Sequence, residues 1–71
     1  MRNRRVTAPL ALVRILSRLQ KEGHAKDVSY LTEAYFPDDG TLSIRGHSDS
    51  SGEMEWRSVY WDEDWDIAEL S

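Results

Sequence analysis

Val28-Ser29-Tyr30-Leu31-Thr32-Glu33-Ala34-Tyr35-Phe36, followed by Pro37-Asp38-Asp39-Gly40 and Thr41-Leu42-Ser43-Ile44-Arg45-Gly46-His47, is the stretch that decides the fold. Its first nine residues are rich in β-branched and aromatic types, which fit a pleated, half-buried surface, and predict a strand. Pro37 presets φ for the first corner of a turn and Gly40 supplies a positive φ at its end. Thr41–His47 then alternates, with Leu42, Ile44 and Gly46 on one face and Thr41, Ser43, Arg45 and His47 on the other. Two strands joined by a tight turn form an antiparallel hairpin. Since a lone hairpin is marginal in water, the remaining chain must supply at least a third strand or a helix cover.

Both are legible. Downstream, Ser48-Asp49-Ser50-Ser51-Gly52 is a polar turn and Glu53–Trp61 a third strand. Continuous alternation there puts Met54, Trp56, Ser58 and Tyr60 on one face and Glu53, Glu55, Arg57, Val59 and Trp61 on the other. Upstream, the period is helical from Ala8 to Glu22. Ala8, Leu12, Ile15, Leu16 and Leu19 form a stripe; Arg14, Arg18 and Lys21 lie opposite, with Leu10 among them. Thr7 is the expected cap, Pro9 suits the first turn and Gly23 suits the stop. The predicted class is α+β: one N-terminal amphipathic helix packed on a three-stranded antiparallel meander. In one domain of 71 residues, 1–6 make a basic arm, 8–22 the helix, 28–61 the meander and 62–71 an acidic aromatic tail. That tail reads as a short helix capped by Asp62 or Asp64, or as an edge strand. The second sheet face is expected to carry Leu31, Tyr35, Val59 and Trp61, or their complement. At least two of the three tryptophans, Trp56 above all, are expected in the core.

The chain has no cysteine, so neither disulfides nor thiolate metal sites can brace it. The stretch Val6–Leu16, interrupted by Arg14, is far short of the ~20 apolar residues that span a bilayer. Although Met1–Lys21 has the Arg-rich, amphipathic character of a presequence, it is read as part of the fold of a cytoplasmic protein.

Charge is split along the chain. Met1–Lys26 holds seven basic residues against Glu22, a net of +6; Asp27–Ser71 holds twelve acids against Arg45 and Arg57, a net of −10. Together these give the overall −4. Separated charge is an argument about association. In Trp61-Asp62-Glu63-Asp64-Trp65-Asp66, carboxylates are interleaved with large aromatics, a surface suited to a basic partner. Glu53, Glu55, Trp61, Asp62, Glu63, Asp64, Trp65 and Asp66 are the candidate partner-binding residues, with Glu69 and Tyr35 as further candidates. The competing reading is direct nucleic-acid binding by Arg2, Arg4, Arg5, Arg14 and Arg18, with Lys21, since phosphate neutralisation drives such binding. The acidic remainder would oppose it unless the two poles face apart.

Catalytic and metal readings are weaker. Asp62-x-Asp64-x-Asp66 starts like a calcium loop, but Ile67 stands where that motif needs glycine and no twelfth-position carboxylate follows. His24 and His47 come with no spacing that suggests a zinc site. Neighbours on one turn, His47-Ser48-Asp49 cannot form an ordered relay. No enzyme activity, metal or cofactor is therefore expected.

In size, charge and order of elements the chain resembles the small acidic single-domain inhibitors encoded by bacteriophages, including anti-CRISPR proteins and DNA mimics. The resemblance assigns no role to a single residue. It implies a non-enzymatic mechanism in a bacterial host cell: an acidic-aromatic surface blocks the basic nucleic-acid site of a larger effector, such as a CRISPR complex. The basic helix departs from a pure mimic and leaves room for a second contact or a dimer face.

Overall fold

The structure, a computed structural model, describes residues 4–37, 41–50 and 52–60. Among these, one helix, α1 (Pro9–Lys21), lies against an antiparallel sheet of five strands: β1 (Arg4–Val6), β2 (Val28–Phe36), β3 (Thr41–Ser48), β4 (Gly52–Glu53) and β5 (Arg57–Tyr60). The α+β class holds, but the sheet is larger than three strands. Arg4–Val6, expected in a basic arm, pairs along β2 with Arg5 opposite Tyr35. The expected third strand is divided into β4 and β5, both pairing with β3. The turn at 38–40 and the tail at 62–71 lie outside the described residues, as do Arg2 and Trp61.

Helix α1 begins after Ala8, whose carbonyl accepts from Leu12 N–H at 3.0 Å. No side chain caps it, so the expected Thr7 cap is not made, and Pro9 opens the first turn instead. The buried stripe is Ala11, Leu12, Ile15, Leu16 and Leu19; Ala8 is exposed, one turn too early to reach the sheet. The helix stops as expected. Gly23 takes φ +89°, the Gly23 N–H donates to Gln20 O at 3.1 Å, and the His24 N–H donates to Leu19 O at 2.8 Å. This Schellman pair satisfies carbonyls that the helix end would otherwise leave open. The Gln20 side chain then fastens the helix to the sheet, its amide donating to Ala25 O at 3.1 Å and to Val28 O at 2.9 Å.

The helix stripe packs with Val6, Val28, Leu31, Ala34, Phe36, Leu42, Ile44 and Met54. Strand β3 is the regular member, burying every second residue: Leu42, Ile44, Gly46 and Ser48. Its neighbours are not regular. Along β2 the pairing passes from Val28–Ser48 to Tyr30–His47, then from Leu31–Gly46 to Glu33–Arg45, leaving Ser29 and Thr32 without partners. Each is a β-bulge, an extra residue that bends the strand and raises its twist. The buried positions of β2 are consequently 28, 31, 34 and 36 rather than a strict alternation. Leu31 joins the core, and Tyr35 takes the other face. Both extra residues are hydroxyl side chains that bond back toward β3, Ser29 Oγ to the Asp49 carboxylate and Thr32 Oγ1 to Arg45 O at 3.2 Å.

A third extra residue separates β4 from β5. Glu53 lies opposite His47 and Arg57 opposite Ile44, so Met54, Glu55 and Trp56 span only Gly46 and Arg45. Met54 remains opposite Gly46, its N–H donating to Gly46 O at 3.0 Å, and Glu55 and Trp56 together face Arg45. Beyond this point the faces are exchanged. Val59 packs against the core, while Trp56 and Tyr60 are turned out. The expectation of a buried Trp56 is overturned because one inserted residue reverses every side chain that follows. No helix among the described residues is long and apolar enough to cross a membrane.

Candidate functional site

The sheet face opposite α1 has no element over it among the described residues, and it gathers side chains from all five strands. Cross-strand rows define it: Arg5–Tyr35–Ser43–Ser58, Glu33–Arg45, Tyr30–His47–Glu53 and Thr41–Tyr60. The Tyr30 and His47 rings stack, with centroids 5.3 Å apart and planes 4° from parallel. Apart from Phe36, the described aromatics all lie on this face, and three of them are substantially exposed: Trp56 at 46%, Tyr30 at 54% and Tyr60 at 83%.

Trp56 is the centre of this surface. It lines two shallow grooves, one with Arg45, Glu53, Met54 and Glu55, the other with Arg5, Tyr35 and Ser43. The Arg45 guanidinium carbon stands 6.0 Å from the centroid of the indole, at the outer limit of a cation–π contact. The flanking arginines have acid partners of their own. Arg5 Nε lies 2.9 Å from Glu33 Oε2, and Arg45 Nη2 lies 3.8 Å from Glu53 Oε1. These exposed pairs add little stability, but they offset part of the face's negative charge and leave Glu55 exposed without an ion-pair partner among the described residues.

A polar cluster lies on the covered side, next to Trp56 in sequence. The next residue, Arg57, turns to the covered side and forms a bidentate pair with Asp27, Nη1 to Oδ1 at 2.9 Å and Nη2 to Oδ2 at 3.0 Å. Buried Ser48 donates its hydroxyl to Asp27 Oδ2 at 3.0 Å and meets Ser50 N–H and Oγ at 3.3 and 3.2 Å. The Asp27 carbonyl also accepts from Asp49 N–H at 2.7 Å. The Arg57 guanidinium, then the Ser48 hydroxyl, hold the Asp27 carboxyl well below the usual carboxylate range. The same bond pushes Arg57 up from its ordinary value.

Of the partner-binding candidates, Glu53 and Glu55 stand on the open face beside Trp56. Trp61, Asp62, Glu63, Asp64, Trp65, Asp66 and also Glu69 lie outside the described residues. The arginines of the competing reading do not converge. Arg5 is on the open sheet face, whereas Arg14 and Arg18 are on the outer side of α1, the latter 3.1 Å from Glu22; Arg4 is half-buried on β1, and Arg2 is not described. A separate groove on α1 is lined by Val13, Arg14, Ser17, Arg18, Lys21 and Glu22. His47, Ser48 and Asp49 diverge, His47 to the Tyr30 stack, Ser48 to Asp27 and Asp49 to Ser29. Among the described residues no three His, Asp or Glu side chains are grouped as a metal site.

Trp56 is the residue that strict alternation misplaces. A signal was present, since an unbroken strand would put Ser58 on the apolar face and Val59 on the charged one. An extra residue before Arg57 removes both conflicts. No family model matches the chain, and no curated protein or solved structure matches it.

Proposed function

We propose that the chain is a non-enzymatic protein-binding inhibitor that sets its open sheet face against the basic nucleic-acid site of a larger protein, in the cytoplasm of a bacterial host. The observation that carries this reading is the exposure of Trp56 at the centre of a face that no other element covers among the described residues, with Glu53 and Glu55 beside it. Aromatic residues in such positions dominate binding energy, and opposite-charge fields speed association and select the partner. The sequence after Tyr60 is rich in acids, Asp62, Glu63, Asp64 and Asp66 among them, which suits the same basic partner. Separation of Arg5 from Arg14 and Arg18 onto opposite sides of the fold favours this reading over a single basic nucleic-acid surface.

The test is competition. A captured nucleic-acid-binding protein should release a labelled oligonucleotide when wild-type chain is added. Release should fail with Glu53→Lys/Glu55→Lys or Trp56→Ala, and recovery of the partner should survive nuclease treatment. Recovery that needs nucleic acid, persists in those variants and is lost with Arg14→Ala/Lys21→Ala would instead establish direct nucleic-acid binding by the helix.

A further inference from the structure

Two pairings of the third strand are open to this sequence. Without an extra residue, the β4 register would continue through residue 60, placing Trp56 opposite Ile44, Arg57 opposite Ser43 and Val59 opposite Thr41. Trp56 would then face the core, with Arg57 and Val59 on the open face. In the structure Arg57 is opposite Ile44 and Val59 opposite Leu42. Apolar burial alone favours the straight strand, since it covers a tryptophan and uncovers only a valine. Something specific must hold the bulged one.

We propose that the Asp27–Arg57 pair, backed by Ser48, is a register latch that positions Trp56 on the open face. Only in the bulged register does Arg57 emerge on the covered side of the sheet, where Asp27 waits at the entrance to β2. In the straight register the guanidinium leaves through the opposite face and Asp27 loses both of its bonds from Arg57. The geometry is selective because a planar guanidinium meets a carboxylate edge-on through two parallel bonds. Asp27 itself is fixed, by the Ser48 hydroxyl and by its carbonyl bond from Asp49 N–H. Asp27 and Arg57 are thus positioning residues acting through Trp56. The inference concerns pairing within the chain and stands independently of any partner.

Cross-strand nuclear Overhauser contacts read the register directly. Wild type should show Ile44–Arg57 and Leu42–Val59 pairs. In Asp27→Asn, contacts of the straight register should appear, Trp56 with Ile44 and Arg57 with Ser43. In a Trp61→Phe/Trp65→Phe background, acrylamide quenching of Trp56 should fall in parallel. Unchanged Ile44–Arg57 pairing in Asp27→Asn overturns the proposal. Should Asp27→Asn fail to fold, removal of Glu55 decides the matter, because without the extra residue the straight continuation of β4 already brings Arg57 opposite Ile44. Asp27→Asn lacking Glu55 should then fold with Trp56 exposed. If it too stays unfolded, the pair serves stability and not register, and the latch is refuted.

Discussion

The two flanks of β3 use the same device and fix it by different chemistry. On the β2 side, the two extra residues lie in the strand that α1 packs against, and they are accommodated by the absence of a side chain at Gly46 and by hydroxyl hydrogen bonds, one to the Asp49 carboxylate and one to the Arg45 carbonyl. On the β4–β5 side, the extra residue lies near the edge of the sheet, and the strand beyond it is held by one charged pair. Bulges that shape a covered sheet can be fixed by packing. A bulge at a sheet edge has little packing to rely on, and its register rests on a directional polar contact.

Gly46→Ala should give the largest effect, confined to the β2 flank. A Cβ at Gly46 would press on the Tyr30 carbonyl and come within 2.8 Å of Leu31 Cα, both backbone atoms that cannot turn aside. Overpacking of this kind costs about 1–3 kcal/mol. Urea unfolding should show a lower midpoint with an unchanged slope, and amide exchange should accelerate first along β2. A midpoint equal to wild type would mean that β2 is not held close to β3 at this point.

Gln20→Ala tests the same flank from the helix side. It removes both bonds to the β2 entry and leaves the part-buried carbonyls of Ala25 and Val28 to water. The expected loss is about 1–2 kcal/mol, with Gln20→Glu failing to restore it because a carboxylate cannot donate. Rescue by Glu would show that the contact is mere packing.

The β4–β5 flank should respond to acid through its charged pair. Asp27 has a depressed pKa in the folded protein, so its contribution is complete above its unfolded value of 3.8 and is lost as pH falls below that toward its lower folded value. Thermal stability should therefore decline below about pH 4, with part of that decline absent in Asp27→Asn. High salt at neutral pH should weaken the pair only in part, since bidentate bonds are screened less than separated surface charges. Identical acid profiles for wild type and Asp27→Asn would remove the pair from the account.

These contrasts also explain what was legible in the sequence. The helix, its glycine stop, the existence of β2 and the alternation of β3 were readable because local pattern and tertiary role agree there. Bulges disturb that agreement without a composition signature of their own. Ser29 and Thr32 look like ordinary polar positions of a strand, and only the pairing with β3 shows them to be supernumerary. Trp56 reads as a core residue for the same reason: hydrophobicity favours burial, and the one-residue insertion that overrides it is tied to Arg57, whose partner Asp27 lies thirty positions earlier. Arg4–Val6 was too short and too basic to announce a strand; it becomes one because β2 offers an open edge and Val6 can reach the core opposite Ala34.

Trp56→Ala should cost less stability than any of these and have the largest effect on recognition, and this separation is the sharpest consequence of the exposed bulge. A tryptophan held in the core would cost about 3–5 kcal/mol on truncation. At its observed exposure, facing Arg45 and two shallow grooves, its loss should stay within about 1 kcal/mol, close to an ordinary surface substitution. Affinity for the proposed partner should nevertheless fall by roughly 30-fold or more, as for an interface residue worth about 2 kcal/mol. Arg45→Ala supplies the comparison, leaving the indole in place but removing the cation above it, and its effect on unfolding should be smaller still. If Trp56→Ala destabilised the fold as a core truncation does, the straight register would have to be the populated one, and the open face would lose its centre.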